Sequence, residues 1–208
     1  MDKLVKFSVV SDQVNDLFVR KFDDKCRVYV ALAKISRLYR LTEKGGVSAG
    51  IILFETLADL QRIKKFYREQ LRILSKRNKR HSKITLVPEV QSEYHVLTNN
   101  PANFALVNVL GILDELYVQF EYAKTQGMFI KKTFIQQRQK KYGRPMNLLI
   151  TRLCQLNTMQ LPTFSEKKQQ EIIPMMLENV CFPIFSSGVI NHYRQIIKKE
   201  RSNASSHP

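Results

Sequence analysis

Lysine and arginine side chains cluster in two stretches near the middle of the chain. One is "SKRNKRHSK", residues 75–83, and the other is "MFIKKTFIQQRQKKYGR", residues 128–144, which holds six basic residues and no acidic one. Cations at this spacing neutralise phosphates and release condensed counterions, which gives strong, salt-dependent binding. The candidate phosphate-contacting residues are Arg72, Lys76, Arg77, Lys79, Arg80, Lys131, Lys132, Arg138, Lys140, Lys141 and Arg144.

The net charge of the chain is concentrated around these stretches. The 208 residues carry 34 basic and 18 acidic side chains, a formal net charge of +16. Residues 61–144 hold 17 of the basic and 6 of the acidic side chains, so +11 of that charge lies there. Such an excess is expected of a nucleic-acid-binding face, although an anionic membrane or an acidic protein could also use it. We favour duplex phosphates, because most aromatic residues near the clusters fit core positions rather than base-stacking positions.

No pattern in the sequence identifies a catalytic group. The four histidines are dispersed, and the sequence contains no nucleophile, zinc, paired-cysteine or dinucleotide motif. The adjacent Asp114 and Glu115 diverge by about 100° on a helix, so we interpret them as surface charges or structural partners of a lysine or arginine. We predict no enzyme activity, cofactor or metal site, and the lack of a carboxylate cluster for Mg²⁺ argues against a nuclease.

The composition predicts a protein that folds without a membrane. Apolar residues make up 44% of the chain, yet no apolar run approaches the roughly 20 residues of a membrane span, and no secretory signal is evident at Met1. The cysteines Cys26, Cys154 and Cys181 are scattered, as is typical of small buried thiols. We therefore expect a cytoplasmic location, where thiols remain reduced.

A mainly helical chain with a small β element, an α+β fold, must position the basic clusters. We predict one helical domain over residues 1–201 and a disordered tail over 202–208. Its helices cover about 12–22, 24–41 and 51–75, then a central apolar helix from the cap "TNNP" to Gly127, and a further helix that begins at Pro145. "KGGVSAG", residues 44–50, is predicted to be a loop, and Pro174 is expected to end or kink a later helix.

The stretch from about Lys83 to Leu153 resembles the AcaB-like regulators of integrating conjugative elements and conjugative plasmids. The features that carry this resemblance are Pro101, Phe104, Asp114, Ala123 and Gly127, set on one long apolar helix and the turn after it. The family pattern places a basic residue soon after the aspartate, whereas Glu115 stands here. The resemblance covers a third to a half of the chain. It implies a DNA-binding bacterial activator of transfer genes on a mobile genetic element. We expect such a protein to be nucleoid-associated, and RNA polymerase or a co-activator is a candidate further partner.

The resemblance also implies a ribbon–helix–helix-like element, in which two chains of a homodimer pair one strand each and the ribbon reads the major groove of double-stranded DNA. Two strands could serve. In residues 82–88, Lys83 and Thr85 would face the bases, beside the first basic cluster; in residues 3–10, Lys3 and Lys6 would contribute, with Lys6 and Ser8 on one face. We favour residues 82–88.

Two classes of function remain open from the sequence. The first is a homodimeric transcription regulator that binds duplex DNA, whether as activator or repressor. The alternative is an accessory or structural conjugation protein that binds single-stranded DNA or a protein partner. A preference for single strands in a competition assay would favour the alternative.

Overall fold

The computed structural model of the chain describes residues 4–81, 89–128, 131–178 and 186–204, with residues 80, 81 and 199–204 as backbone only. The elements run β1 (Leu4–Val9), α1 (Asp12–Val19), β2 (Lys21–Phe22), β3 (Lys25–Cys26), α2 (Arg27–Glu43), α3 (Val47–His81), β4 (Ser92–Leu97), α4 (Pro101–Thr125), α5 (Lys132–Gln155), α6 (Glu166–Glu178) and α7 (Ser187–Ala204). The predicted class, mainly helical with a small β element, is confirmed.

Strands β1 and β4 form a two-stranded antiparallel sheet, with Lys6 opposite His95. Alternate residues of a strand point to opposite faces. Accordingly, Val9 is fully buried against the core, whereas Leu4, Lys6 and Ser8 are exposed. Lys6 and Ser8 thus share a face, as predicted for residues 3–10. The favoured strand, residues 82–88, lies outside the described residues.

The prediction that Asp23-Asp24 starts a second helix is wrong. These residues form the turn of a short hairpin between β2 and β3, with φ angles of 48° and 59°. Two consecutive residues with positive φ give the turn whose twist matches a hairpin, and aspartate adopts this conformation more readily than most residues. Consequently α1 ends at Val19 and α2 begins only at Arg27.

Helices α3 and α4 pack together at the centre of the main core. α3 begins at Val47, earlier than predicted, because "VSAG" continues the helix and leaves a loop of only residues 44–46 after α2. α4 begins and ends as predicted. The side chain of Asn100 accepts a hydrogen bond from the Asn103 N–H, Pro101 lies in the first turn, and Gly127 takes a φ of +73° just after the last turn.

Helix α5 runs unbroken past Pro145, so the prediction that a new helix starts there is wrong. Proline has no N–H to donate to the carbonyl of Lys141 one turn earlier, yet the helix continues because its second half is buried. Met146 and Ile150 are fully buried and join the main core. The first half of α5 therefore bears the cations of the second basic stretch, and the buried second half fixes the helix to the core.

Helices α6 and α7 form a second apolar cluster with the start of α3. Tyr193 of α7 is buried, and its hydroxyl donates to the Gly46 carbonyl at 3.4 Å. α6 continues past Pro174, and α7 reaches Ala204, so the predicted disordered tail is helical at residues 202–204. Residues 205–208 lie outside the described part of the chain. Among the described helices, none combines the length and apolarity needed to cross a membrane.

Candidate nucleic-acid interface

Six cations form one row along the solvent side of α3, which we call the α3 row. Its members recur every three or four residues and are all exposed: Arg62, Lys65, Arg68, Arg72, Lys76 and Lys79. Side chains at this spacing share one helix face. The buried residues Leu60, Tyr67 and Leu74 occupy the face toward the core. The α3 row therefore exposes its charge to solvent, while other residues of α3 pack against the core.

Acidic residues offset this charge at only two points along α3. Arg62 pairs with Asp59 at 2.5 Å, and Arg72 pairs with Glu69 at 2.9 Å. The hydrogen bond from Arg72 lowers the pKa of the Glu69 carboxyl below its ordinary value. Within the described part of the chain, the other four members of the row form no ion pair within 4.0 Å. The row therefore keeps a net positive charge.

The two basic stretches meet at Tyr142 of α5. The hydroxyl of Tyr67 on α3 donates to the Tyr142 carbonyl at 2.7 Å, and both residues are buried. Burial raises the pKa of the Tyr142 phenol, and the nearby Arg138 and Arg77 oppose that rise. Arg77, from the first stretch, and Arg138, from the second, thus both lie within electrostatic range of the Tyr142 phenol.

The cations of α5 lie on two sides of the helix. Lys141 lies on the α3 side, with Nζ 5.8 Å from the centre of the Phe66 ring, and Arg138 shares that side through its contact with Tyr142. Lys140 and Arg144, one turn apart, instead border a groove shared with α1. The structure therefore separates residues that the sequence grouped together. Two further predicted residues, Lys131 and Lys132, are exposed where α5 begins.

The remaining predicted residues fall elsewhere or outside the described residues. Lys6 lies on the exposed face of the β1–β4 sheet, where its ammonium is 2.7 Å from the Glu93 carboxylate. The side chains of Lys3, Arg80, Lys83 and Thr85 lie outside the described residues.

Asp114 proves to be a buried structural residue. Its carboxylate accepts from the N–H groups of Val10 at 3.0 Å and Ser11 at 2.8 Å, and from the Ser11 hydroxyl at 2.5 Å. The prediction of a surface charge or a lysine or arginine partner is therefore wrong. The carboxylate lies at the start of α1, where the positive end of the helix dipole favours it. The sequence predicted Ser11 as the N-cap of α1, but it did not predict that Ser11 bonds to Asp114 of α4.

Sequence reasoning missed a third group of cations on α2. Arg37, Arg40 and Lys44, together with Leu41, border a groove of about 260 Å³ that no acidic side chain of the described residues lines. The intervals of three and four residues were the available signal. It was hidden because residues 1–60 carry almost balanced charge, with 10 basic and 8 acidic side chains.

Comparison with solved structures relates the chain by its fold. The crystal structure of selenomethionine-containing AcaB from uropathogenic E. coli matches with a TM-score of 0.57, over 74% of this chain and 76% of that chain. The aligned sequences are 15% identical, so the match describes the fold and not the activity. No family model matches the sequence, and no curated protein matches it. The chain shares the fold of AcaB, in line with the loose resemblance between Lys83 and Leu153.

Proposed function

We propose that the protein is a DNA-binding transcription regulator that holds duplex phosphates on the α3 row together with Arg77, Arg138 and Lys141. One observation carries this proposal: the bond from Tyr67 to the Tyr142 carbonyl joins α3 to α5, and Lys141 of α5 lies over the Phe66 ring of α3, so the two helices that bear the basic stretches are neighbours. We leave Lys140 and Arg144 out of this proposed surface, because they border the groove on the α1 side.

The length of the α3 row suits a DNA backbone. At about 1.5 Å per residue, the row from Arg62 to Lys79 extends roughly 25 Å along the helix. Duplex DNA carries a charge about every 3.4 Å of axis on each strand, so the row could face several phosphates in succession. Such contacts fix position and contribute affinity but carry no sequence information.

We also propose that β1 supplies sequence reading within a homodimer. β1 pairs with β4 along one edge. Backbone groups alternate along an antiparallel strand, so those of every second residue of β1 point to the opposite edge. At that edge β1 pairs with no other described strand. A second copy adding there would build a ribbon whose exposed side chains include Lys6 and Ser8.

The likeness to AcaB supports the further proposal that the regulated genes are those of conjugative transfer. Activation is the direction we propose. This part of the proposal rests on the shared fold and on the resemblance between Lys83 and Leu153, whereas the basic surface concerns only the contact with DNA.

The duplex surface is tested by fluorescence anisotropy with labelled duplexes over a salt titration. We expect the triple variant Lys65→Ala, Arg68→Ala, Lys76→Ala to lower affinity at least about tenfold and the slope of log K against log salt by about 2 to 3. The control variant Lys21→Ala, Lys25→Ala, Lys167→Ala makes the same charge change at exposed positions on other elements. Equal losses in both variants would show that only net charge matters.

The ribbon is tested with Lys6→Ala and Ser8→Ala combined. We expect this variant to lose discrimination between random duplexes and DNA fragments taken from upstream of the genes of its own genetic element. It should keep most of its affinity for random DNA. Sedimentation velocity over a concentration series should show a dimer of the wild type. A monomer at every concentration, or tighter binding to single strands than to duplexes, would reject this part of the proposal.

A further inference from the structure

The exposed face of the β1–β4 sheet carries side chains from both strands. Two neighbouring strands lie about 4.8 Å apart, and the major groove of B-DNA, which is about 12 Å wide, admits a two-stranded ribbon. The exposed residues of β4 therefore come to DNA together with those of β1. Three cross-strand pairs form this face: Leu4 with Leu97, Lys6 with His95, and Ser8 with Glu93.

The opposite face of the sheet is packed against the main core. Val9 and Val96 are fully buried. The ring of Tyr94 stacks on Phe18 of α1, with 4.1 Å between the ring centres, and its hydroxyl donates to the Asn15 side chain at 2.5 Å. Groups on a strand that is fixed in this way are held more precisely than groups on a loop. The exposed face is therefore supported by a rigid layer beneath it.

Lys6 and Glu93 form an ion pair across the exposed face. The Lys6 ammonium nitrogen lies 2.7 Å from the Glu93 carboxylate, on the diagonal between neighbouring positions of the two strands. Their side chains are 57% and 48% exposed, and ion pairs this open to solvent add little to stability. An ammonium has three donors and a carboxylate has several acceptor positions, so the pair still presents a donor and an acceptor side by side.

A guanine–cytosine base pair has the complementary arrangement in the major groove. Its edge carries the acceptors O6 and N7 of guanine and the amine donor N4 of cytosine. O6 and N4 are hydrogen-bonded to each other, so they lie about 2.9 Å apart, close to the 2.7 Å between Lys6 Nζ and Glu93 Oε1. An adenine–thymine pair fits less well, because thymine presents only O4 to a lysine where guanine presents both O6 and N7.

We propose that Lys6 and Glu93 together read one guanine–cytosine base pair. The Lys6 ammonium donates to guanine O6 and N7, and the Glu93 carboxylate accepts from the cytosine N4 amine. Glu93 of β4 is then a specificity-determining residue beside the proposed base-contacting residues of β1. The inference rests on the proposed reading of duplex DNA by the exposed face of β1. It does not depend on a second copy, because β1 and β4 belong to the same chain.

The experiment selects bound duplexes from a pool with a random core and sequences them. The wild type should enrich a motif with one guanine–cytosine position at which Glu93→Ala lowers the preference about tenfold. Glu93→Ala should also bind random duplexes about twofold more tightly, because the charge of Lys6 is then no longer offset. A purely structural ion pair would not produce these two opposite changes.

A second variant, Lys6→Glu with Glu93→Lys, exchanges the donor and the acceptor and keeps the net charge. Relative to the rest of the motif, guanine and cytosine should change strands at that one position. Both Glu93 variants should unfold at the temperature of the wild type, since the pair is exposed. The matched control, Glu121→Lys with Lys124→Glu, exchanges another exposed ion pair at the end of α4 and should leave the motif unchanged.

A motif that both Glu93 variants leave unchanged overturns the proposal, and so does a change at an adenine–thymine position. Either result leaves the proposed regulator function in place, because the protein still selects a sequence. If the wild type enriches no motif, the sheet face does not read bases at all. The salt titration of the α3 row then decides separately on duplex binding, because the row shares no residue with this face.

Discussion

Asp114 and the α3 row are two charged regions that differ in their burial and in the number of their bonding partners. The Asp114 carboxylate is buried and accepts three hydrogen bonds from Val10 and Ser11. The α3 row is exposed, and only Arg62 and Arg72 of its members have an ion-pair partner within the described residues. A buried charge must be satisfied by the fold itself, whereas an exposed and unpaired charge contributes little to folding and remains available to a ligand.

The largest effect is expected from Asp114→Ala. The variant would leave the N–H groups of Val10 and Ser11 without their acceptor, so we expect a loss of about 3 kcal/mol in the free energy of unfolding. Urea denaturation measures it. Glu115→Ala, at the neighbouring exposed carboxylate, should change stability by less than about 0.5 kcal/mol. Similar losses in the two variants would contradict a structural role specific to Asp114.

Arg68→Glu tests the exposed α3 row, which is expected to contribute to DNA binding and not to stability. A reversed charge in the middle of the α3 row should weaken duplex binding about tenfold, or about 1.4 kcal/mol. Stability should remain within about 0.5 kcal/mol of wild type. Arg194→Glu makes the same change on the exposed side of α7 and serves as the control. Strong destabilisation by Arg68→Glu would show that the row also supports the fold.

Tyr67→Phe tests the bond that joins the core to the basic surface. Loss of the bond to the Tyr142 carbonyl should cost about 1 kcal/mol, and Tyr39→Phe, at a half-buried tyrosine, is the matched control. Burial raises the pKa of Tyr67 above its ordinary value of 10.0. The neutral phenol therefore favours the folded state below pH 10, and this contribution falls as the pH rises above that value. The stability difference between wild type and variant should shrink accordingly.

The smallest effect is expected from Glu69→Gln. This change removes one acidic group from the α3 row and frees Arg72 from its pair, so duplex affinity should rise about twofold. Anisotropy at low salt is the appropriate measurement. Glu171→Gln, at an exposed acid of α6, should leave the affinity as it is. Weaker binding by Glu69→Gln would mean that the pair holds Arg72 in its binding position.

Local signals made part of the fold predictable from the sequence. The cap at Asn100, the first-turn Pro101 and the C-terminal Gly127 defined α4, because each acts through its own backbone neighbours. Asp23-Asp24 misled the prediction because aspartate suits both a helix start and a turn with positive φ. Pro145 misled it because buried residues further along α5 outweigh the missing N–H.

The candidate site was only partly predictable from the sequence. The spacing of the α3 row follows from helix periodicity, so its shared face could be predicted. The division of the α5 cations between the α3 side and the α1 groove could not, because it depends on which helices pack beside α5. The role of Asp114 depends on Ser11, which lies 103 residues away in the sequence, and no local pattern encodes such a pair.

The long-range bonds of the amino-terminal elements have a consequence for synthesis. β1 pairs with β4, up to Leu97, and the start of α1 is held by Asp114. Since chains emerge from the ribosome amino terminus first, β1 and α1 leave it well before the residues that complete their hydrogen bonds. A nascent chain or fragment that ends before β4 would expose the edge of β1. One that ends before α4 would leave the N–H groups of Val10 and Ser11 without their acceptor. The native contacts of β1 and α1 therefore form only after much of the chain that follows them has been made.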